Sequence, residues 1–134
     1  MLLPAGTHVA IADGEKLLLL RNHGGETSLK LAAESTPAVG GDNKSGGMHH
    51  GSSSANPDDS RLEEDSFAAA TAKFLNGEVQ AGRIANLVVV APAKTLGELR
   101  KHYHKTLQAK LVGELSKDLV NTAIPEIEKV LAAA

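Results

Sequence analysis

Residues 40–54 read Gly-Gly-Asp-Asn-Lys-Ser-Gly-Gly-Met-His-His-Gly-Ser-Ser-Ser, a stretch poor in core-forming side chains and rich in groups that can meet an anion. Gly40, Gly41, Gly46 and Gly47 permit positive φ and close approach of backbone amides to a phosphate, and Lys44, His49 and His50 add side-chain donors. The same composition suits a solvated connector, because Gly/Ser-rich segments bury too little to order themselves. Long structureless loops in compact domains are uncommon unless they bind or are disordered, so the stretch stands open between the two roles. Gly41 and Gly46 have the spacing that opens a P-loop, but Gly47 stands where the phosphate-binding Lys belongs, and nucleoside triphosphate binding is rejected. The adjacent His49 and His50 lack the spacing of a helical zinc motif, and His102 and His104 would diverge by roughly 200° on a helix. Neither a metal nor a cofactor is expected.

A second constellation is basic. Lys94, Arg100, Lys101, Lys105 and Lys110 crowd one short region in which Glu98 is the only acid, and Arg61 lies just after the glycine-rich stretch. On a helix, Arg100, Lys101 and Lys105 fall away from the leucine stripe, where they suit either a phosphate-tracking face or an ordinary solvated surface. A nuclease using two divalent cations needs several converging carboxylates. Asp13 with Glu64 or Asp65 is the nearest set, yet Asp13-Gly14 is turn chemistry and Glu64 suits the first turn of a helix. The balance favours a binding module over an enzyme.

The elements that must position these groups follow from periodicity. His8-Val9-Ala10-Ile11-Ala12, the Asp13-Gly14 turn and Lys16-Leu17-Leu18-Leu19-Leu20-Arg21 read as a hairpin, and after Gly24-Gly25 the alternation over 28–32 predicts a third strand. Ser60-x-x-Glu63 fits a capping box for a first helix that ends around Asn76-Gly77. The β-branched run Leu87-Val88-Val89-Val90-Ala91 suits a strand covered on both faces. Thr95-x-x-Glu98 reads as a second capping box, opening one helix with the stripe Leu96, Leu99, Tyr103, Leu107 and Leu111. A short strand over 112–115 and a helix over 122–131 complete a βββαβαβα order. That order predicts an α/β fold with a ribonuclease H-like mixed sheet and helices packed on it.

The 134 residues suffice for a single domain, 1–134, with the Gly/Ser/His-rich loop at about 36–59. Phe67, Phe74 and Tyr103 are the only rings, so side chains offer no base-stacking platform. A net charge of −2 confines any basic surface to a local patch, and the lack of cysteine removes thiolate ligands and thiol nucleophiles. No apolar run approaches the ~18 residues of a membrane span, and the first residues do not form a signal peptide. A cytoplasmic protein without membrane insertion is expected.

Several segments together resemble the host attachment protein family, the proteins required for attachment to host cells. They are Val9-Ala10-Ile11-Ala12-Asp13-Gly14, Glu64-x-x-Phe67-Ala68, Leu87-Val88-Val89-Val90-Ala91-Pro92-x-x-x-Leu96-Gly97-Glu98-Leu99-Arg100, and Lys117-Asp118-Leu119. That family is similar in turn to the central domain of archaeal and eukaryotic release factors. The resemblance implies contact with tRNA or the ribosome, or else an indirect effect on bacterial attachment through protein partners. In release factors the connection between third strand and first helix carries a Gly-Gly-Gln tip that positions water at the peptidyl-tRNA ester. Here Asp42 follows Gly40-Gly41 and Met48 follows Gly46-Gly47. Neither side chain reproduces the neutral amide of Gln, so peptidyl-tRNA hydrolysis is not expected. The candidate RNA-binding residues are therefore Lys44, His49, His50, Arg61, Lys94, Arg100, Lys101 and Lys105.

Overall fold

A computed structural model describes residues 1–34 and 57–134, with side chains of the first long helix described from Leu62 onward. The first two strands, β1 (His8–Ala12) and β2 (Leu17–Asn22), form an antiparallel hairpin with Ala12 opposite Leu17. Asp13 makes the turn: its Oδ1 accepts from the amides of Glu15 at 2.7 Å and Lys16 at 2.6 Å, and its own amide donates to the Lys16 carbonyl. The third strand, β3 (Leu31–Ala33), pairs antiparallel with β2 and is shorter than the alternation predicts. The preceding residues form a turn instead, with a Gly25–Ser28 bridge. Buried Asn22 organises that turn, its Oδ1 accepting from the amides of Gly24 and Lys30 and its Nδ2 donating to the Leu3 carbonyl. Gly24 has no substitute, because a Cβ there would lie 2.0 Å from the Ser28 carbonyl oxygen.

The first helix, α1 (Pro57–Gln80), starts within the region expected to be loop and runs past Gly77. Its end is set by Gly82, whose φ of 81° and amide bond to the Val79 carbonyl make a left-handed terminator. β4 (Leu87–Ala91) is buried at every position and lies parallel to β1. The single helix expected next is two: α2 (Ala93–Arg100) and α3 (Lys105–Lys110), separated by a turn. Thr95 does not cap α2, which begins two residues earlier behind Pro92 without any side-chain cap. Leu111, predicted to extend the helical stripe, instead starts β5 (Leu111–Ser116), parallel to β4, and α4 (Ile124–Ala133) closes the chain. The order is thus βββαβααβα, a mixed five-stranded sheet arranged β3-β2-β1-β4-β5.

Strand alternation divides the core between two faces. Ala10, Leu19, Leu87, Val89 and Ala91 point to the side covered by Ala68, Ala72, Leu75 and Val79 of α1, Leu96 and Leu99 of α2, and Leu107 of α3. Val9, Ile11, Leu20, Val88 and Val90 point the other way, under Ile127 and Leu131 of α4 together with Leu3, Leu119 and Val120. Each fully buried leucine or isoleucine contributes about 1.5–3 kcal/mol, so both layers are needed to hold a chain of this size. β1 and β4 run parallel, so their carboxyl termini lie at the same end of the sheet. Glu64 of α1 lies against Gly14 at that end, close enough that a Cβ on Gly14 would meet its Cγ at 2.7 Å.

Candidate nucleic-acid interface

The candidate cations fall into three groups. Lys44, His49, His50 and the glycines Gly40, Gly41, Gly46 and Gly47 lie outside the described residues, and Arg61 is on α1 with its side chain outside them. Lys94 sits at the start of α2, where its Nζ is 3.6 Å from Glu64 Oε1. Arg100, Lys101 and Lys105 cluster at the other end of α2 and across the turn, roughly 10 Å along the helix from Lys94. The structure therefore does not gather one continuous basic stripe. It brings together a compact group at the turn and leaves Lys94 near the carboxyl end of the sheet.

The turn is built by its neighbours. Asn76 on α1 donates from Nδ2 to the His102 carbonyl and accepts at Oδ1 from the His104 amide, each at 2.9 Å. One side chain thus occupies both backbone groups that a continuous helix would have used internally. Tyr103 tucks inward, its hydroxyl donating to Glu114 Oε2 of β5 at 3.3 Å. Burial, and after it the Glu114 carboxylate, push the phenol well above its ordinary value, so it remains a donor. Arg100 donates from Nε to Glu114 Oε1 at 3.0 Å, which ties α2 to the edge strand and leaves less of the guanidinium for a ligand. His104 takes extended backbone and caps α3, its Nδ1 accepting from the Thr106 amide. An accepting Nδ1 fixes the tautomer and leaves Nε2 to carry the proton.

Glu98 is the acid that partners the turn, as Glu114 partners Arg100. Its Oε1 is 3.1 Å from Lys101 Nζ and its Oε2 is 3.4 Å from His102 Nε2. The hydrogen bond from Lys101 holds its carboxyl below the usual carboxylate range. The sequence assigned Glu98 to a helix cap; freed from that role, it partners the turn. Lys105 is exposed and forms no ion pair among the described residues.

A second polar group, not anticipated from sequence, sits under α1. His8 shares the sheet face of Ala10 and is 6% exposed, with Nε2 3.5 Å from Glu34 Oε1 and Nδ1 without a partner among the described residues. Burial lowers its pKa despite the opposing pull of Glu34. Thr7 and Thr71 also hold buried hydroxyls without partners among the described residues. Among those residues no group of His, Asp or Glu is placed to hold a metal ion, and no helix is long and apolar enough to cross a membrane.

The described residues thus form a mixed α/β sheet with exposed cations grouped at a turn and no cluster of converging carboxylates among them. The chain belongs to the bacterial archaeo-eukaryotic release factor family 12, whose model matches residues 6–131. That places it on the release-factor side of the resemblance; the match says nothing of attachment to host cells. A comparison with curated proteins finds no match.

Proposed function

We infer that this protein is a non-catalytic cytoplasmic module that contacts tRNA or the ribosome through the phosphate backbone. The observation that carries the reading is membership, over residues 6–131, in a release-factor family. The β3-β2-β1-β4-β5 order, with β2 antiparallel to its neighbours and β1, β4 and β5 mutually parallel, supports a ribonuclease H-like description of the scaffold. The exposed Lys101 and Lys105 supply phosphate contacts, and the missing Gln after either glycine pair argues against ester hydrolysis.

Co-sedimentation with ribosomes and retention of tRNA across a salt series test it. The logarithm of the binding constant should fall linearly with the logarithm of salt, by about 0.7–0.9 per phosphate contact. A Lys101→Glu, Lys105→Glu double variant should bind at least tenfold more weakly on that scale. Absence of binding at low salt would sink the reading.

A further inference from the structure

We propose that the turn Lys101-His102-Tyr103-His104-Lys105 is a preformed RNA-phosphate contact, and that Glu98 acts as its built-in competitor, occupying the donors a phosphate would take. The proposal rests on the RNA-binding reading above and adds where the contact lies and what regulates it.

Three features of the turn carry the inference. First, its shape is imposed from outside, because Asn76 holds both the His102 carbonyl and the His104 amide while Tyr103 anchors to Glu114. A turn clamped in this way loses little freedom when a ligand binds. Second, with Tyr103 turned inward, the other four side chains of the turn are exposed, and each carries a donor. Lys101 and Lys105 supply ammonium groups, and the capping role of His104 leaves an Nε2–H as its free donor. Third, Glu98 already shows how an anion sits there: its two oxygens reach Lys101 and His102 at 3.1 and 3.4 Å, the two-point arrangement that non-bridging oxygens of a phosphodiester also present. Its carboxyl remains ionised at neutral pH, because Lys101 holds it below the usual range. An incoming phosphate must therefore displace Glu98 or share its partners.

The consequence runs against simple charge deletion: removing an acid improves binding, and removing a neutral amide harms it. In retention of total tRNA by the full chain, Glu98→Gln should raise affinity about three- to tenfold near physiological salt and steepen the salt slope, since Lys101 becomes free to neutralise a phosphate and release its counterion. Asn76→Ala leaves every cation in place, so its slope should match the wild type while affinity at fixed salt drops about three- to tenfold. That split between slope and affinity separates positioning from charge. Polyglutamate serves as the control anion and should bind at least tenfold more weakly than tRNA. If the wild type binds tRNA but Glu98→Gln leaves affinity unchanged or lowers it, or if polyglutamate binds as well as tRNA, the inference falls and the broader reading stands. If the wild type does not bind tRNA at all, both fall. Should Asn76→Ala unfold, Glu98→Gln, which keeps the size and shape of the side chain, still decides the question.

Discussion

The two faces of the sheet are closed by different means. Under α4 the contacts are aliphatic, Ile127 and Leu131 against Val9, Ile11, Val88 and Val90, and the polar ties lie at the rim. Glu128 accepts there from the Leu31 amide, and the Met1 amino group donates to the Leu131 carbonyl. Under α1, α2 and α3 a similar aliphatic seam is joined by contacts that fix surface elements: Asn76 to the turn, Glu114 to Arg100 and Tyr103, Glu64 to Lys94, and His8 to Glu34. One layer seals the core, whereas the other also sets where charged side chains stand. Damage to the first should cost stability alone, and damage to the second should cost stability and binding together.

The largest effects test that division directly. Ile127→Ala and Leu75→Ala each remove a fully buried aliphatic side chain and should each lower the free energy of unfolding by about 2–5 kcal/mol, read from urea titration. At temperatures where both variants remain folded, Ile127→Ala should keep wild-type affinity for tRNA. Leu75→Ala, which undermines the neighbouring Asn76, should lose several-fold. Equal binding by the two would erase the functional distinction between the faces.

A middle-sized effect belongs to Asn76 itself. Among the described residues the His102 carbonyl and the His104 amide have no partner besides Asn76, so Asn76→Ala should cost about 1–2 kcal/mol in the same titration. This position also shows where sequence reading reached its limit. The strands, the Asp13 turn and the covered β4 were legible because apolar alternation, turn residues and β-branched runs are local signals. The break between α2 and α3 was not, since residues 101–104 contain neither Gly nor Pro. The break is made by a side chain 26 residues upstream, and no local pattern in 95–111 records it. The basic residues were visible as types; their separation into Lys94 and a turn cluster depended on that break.

His8 gives a smaller, pH-dependent effect confined to the face under α1. Its folded pKa lies below the ordinary histidine value of 6.5, with burial as the main cause and Arg21 adding to it, while Glu34 and Glu78 oppose. Arg83, in the turn after α1, neutralises part of Glu78 through a 2.7 Å pair. Below pH 6.5 the unfolded chain takes up a proton at this position before the folded one does, so unfolding gains protons and stability falls. Above that value the contribution is complete and flat. Urea midpoints from pH 7.5 down to 5.5 should therefore decline more steeply in the wild type than in His8→Gln. Parallel curves would mean that His8 charges as readily inside the fold as outside it.

The smallest effect concerns the acid at the other end of α2. Glu64 and Lys94 are both well exposed, and such a pair contributes about 0–1 kcal/mol, so Glu64→Gln should leave the unfolding curve nearly unchanged. Its value lies in comparison with Glu98→Gln. Each variant removes one carboxylate, but Glu98 engages both Lys101 and His102 whereas Glu64 engages Lys94 alone. If the turn is the principal RNA contact, freeing Lys94 should raise tRNA affinity by less than freeing Lys101 and His102. A larger gain from Glu64→Gln would move the interface to the carboxyl end of the sheet. There Lys94 is joined by Lys117, whose amide bonds the Ala91 carbonyl at the last residue of β4. The order of these two gains, measured at one salt concentration, fixes which end of α2 faces the RNA.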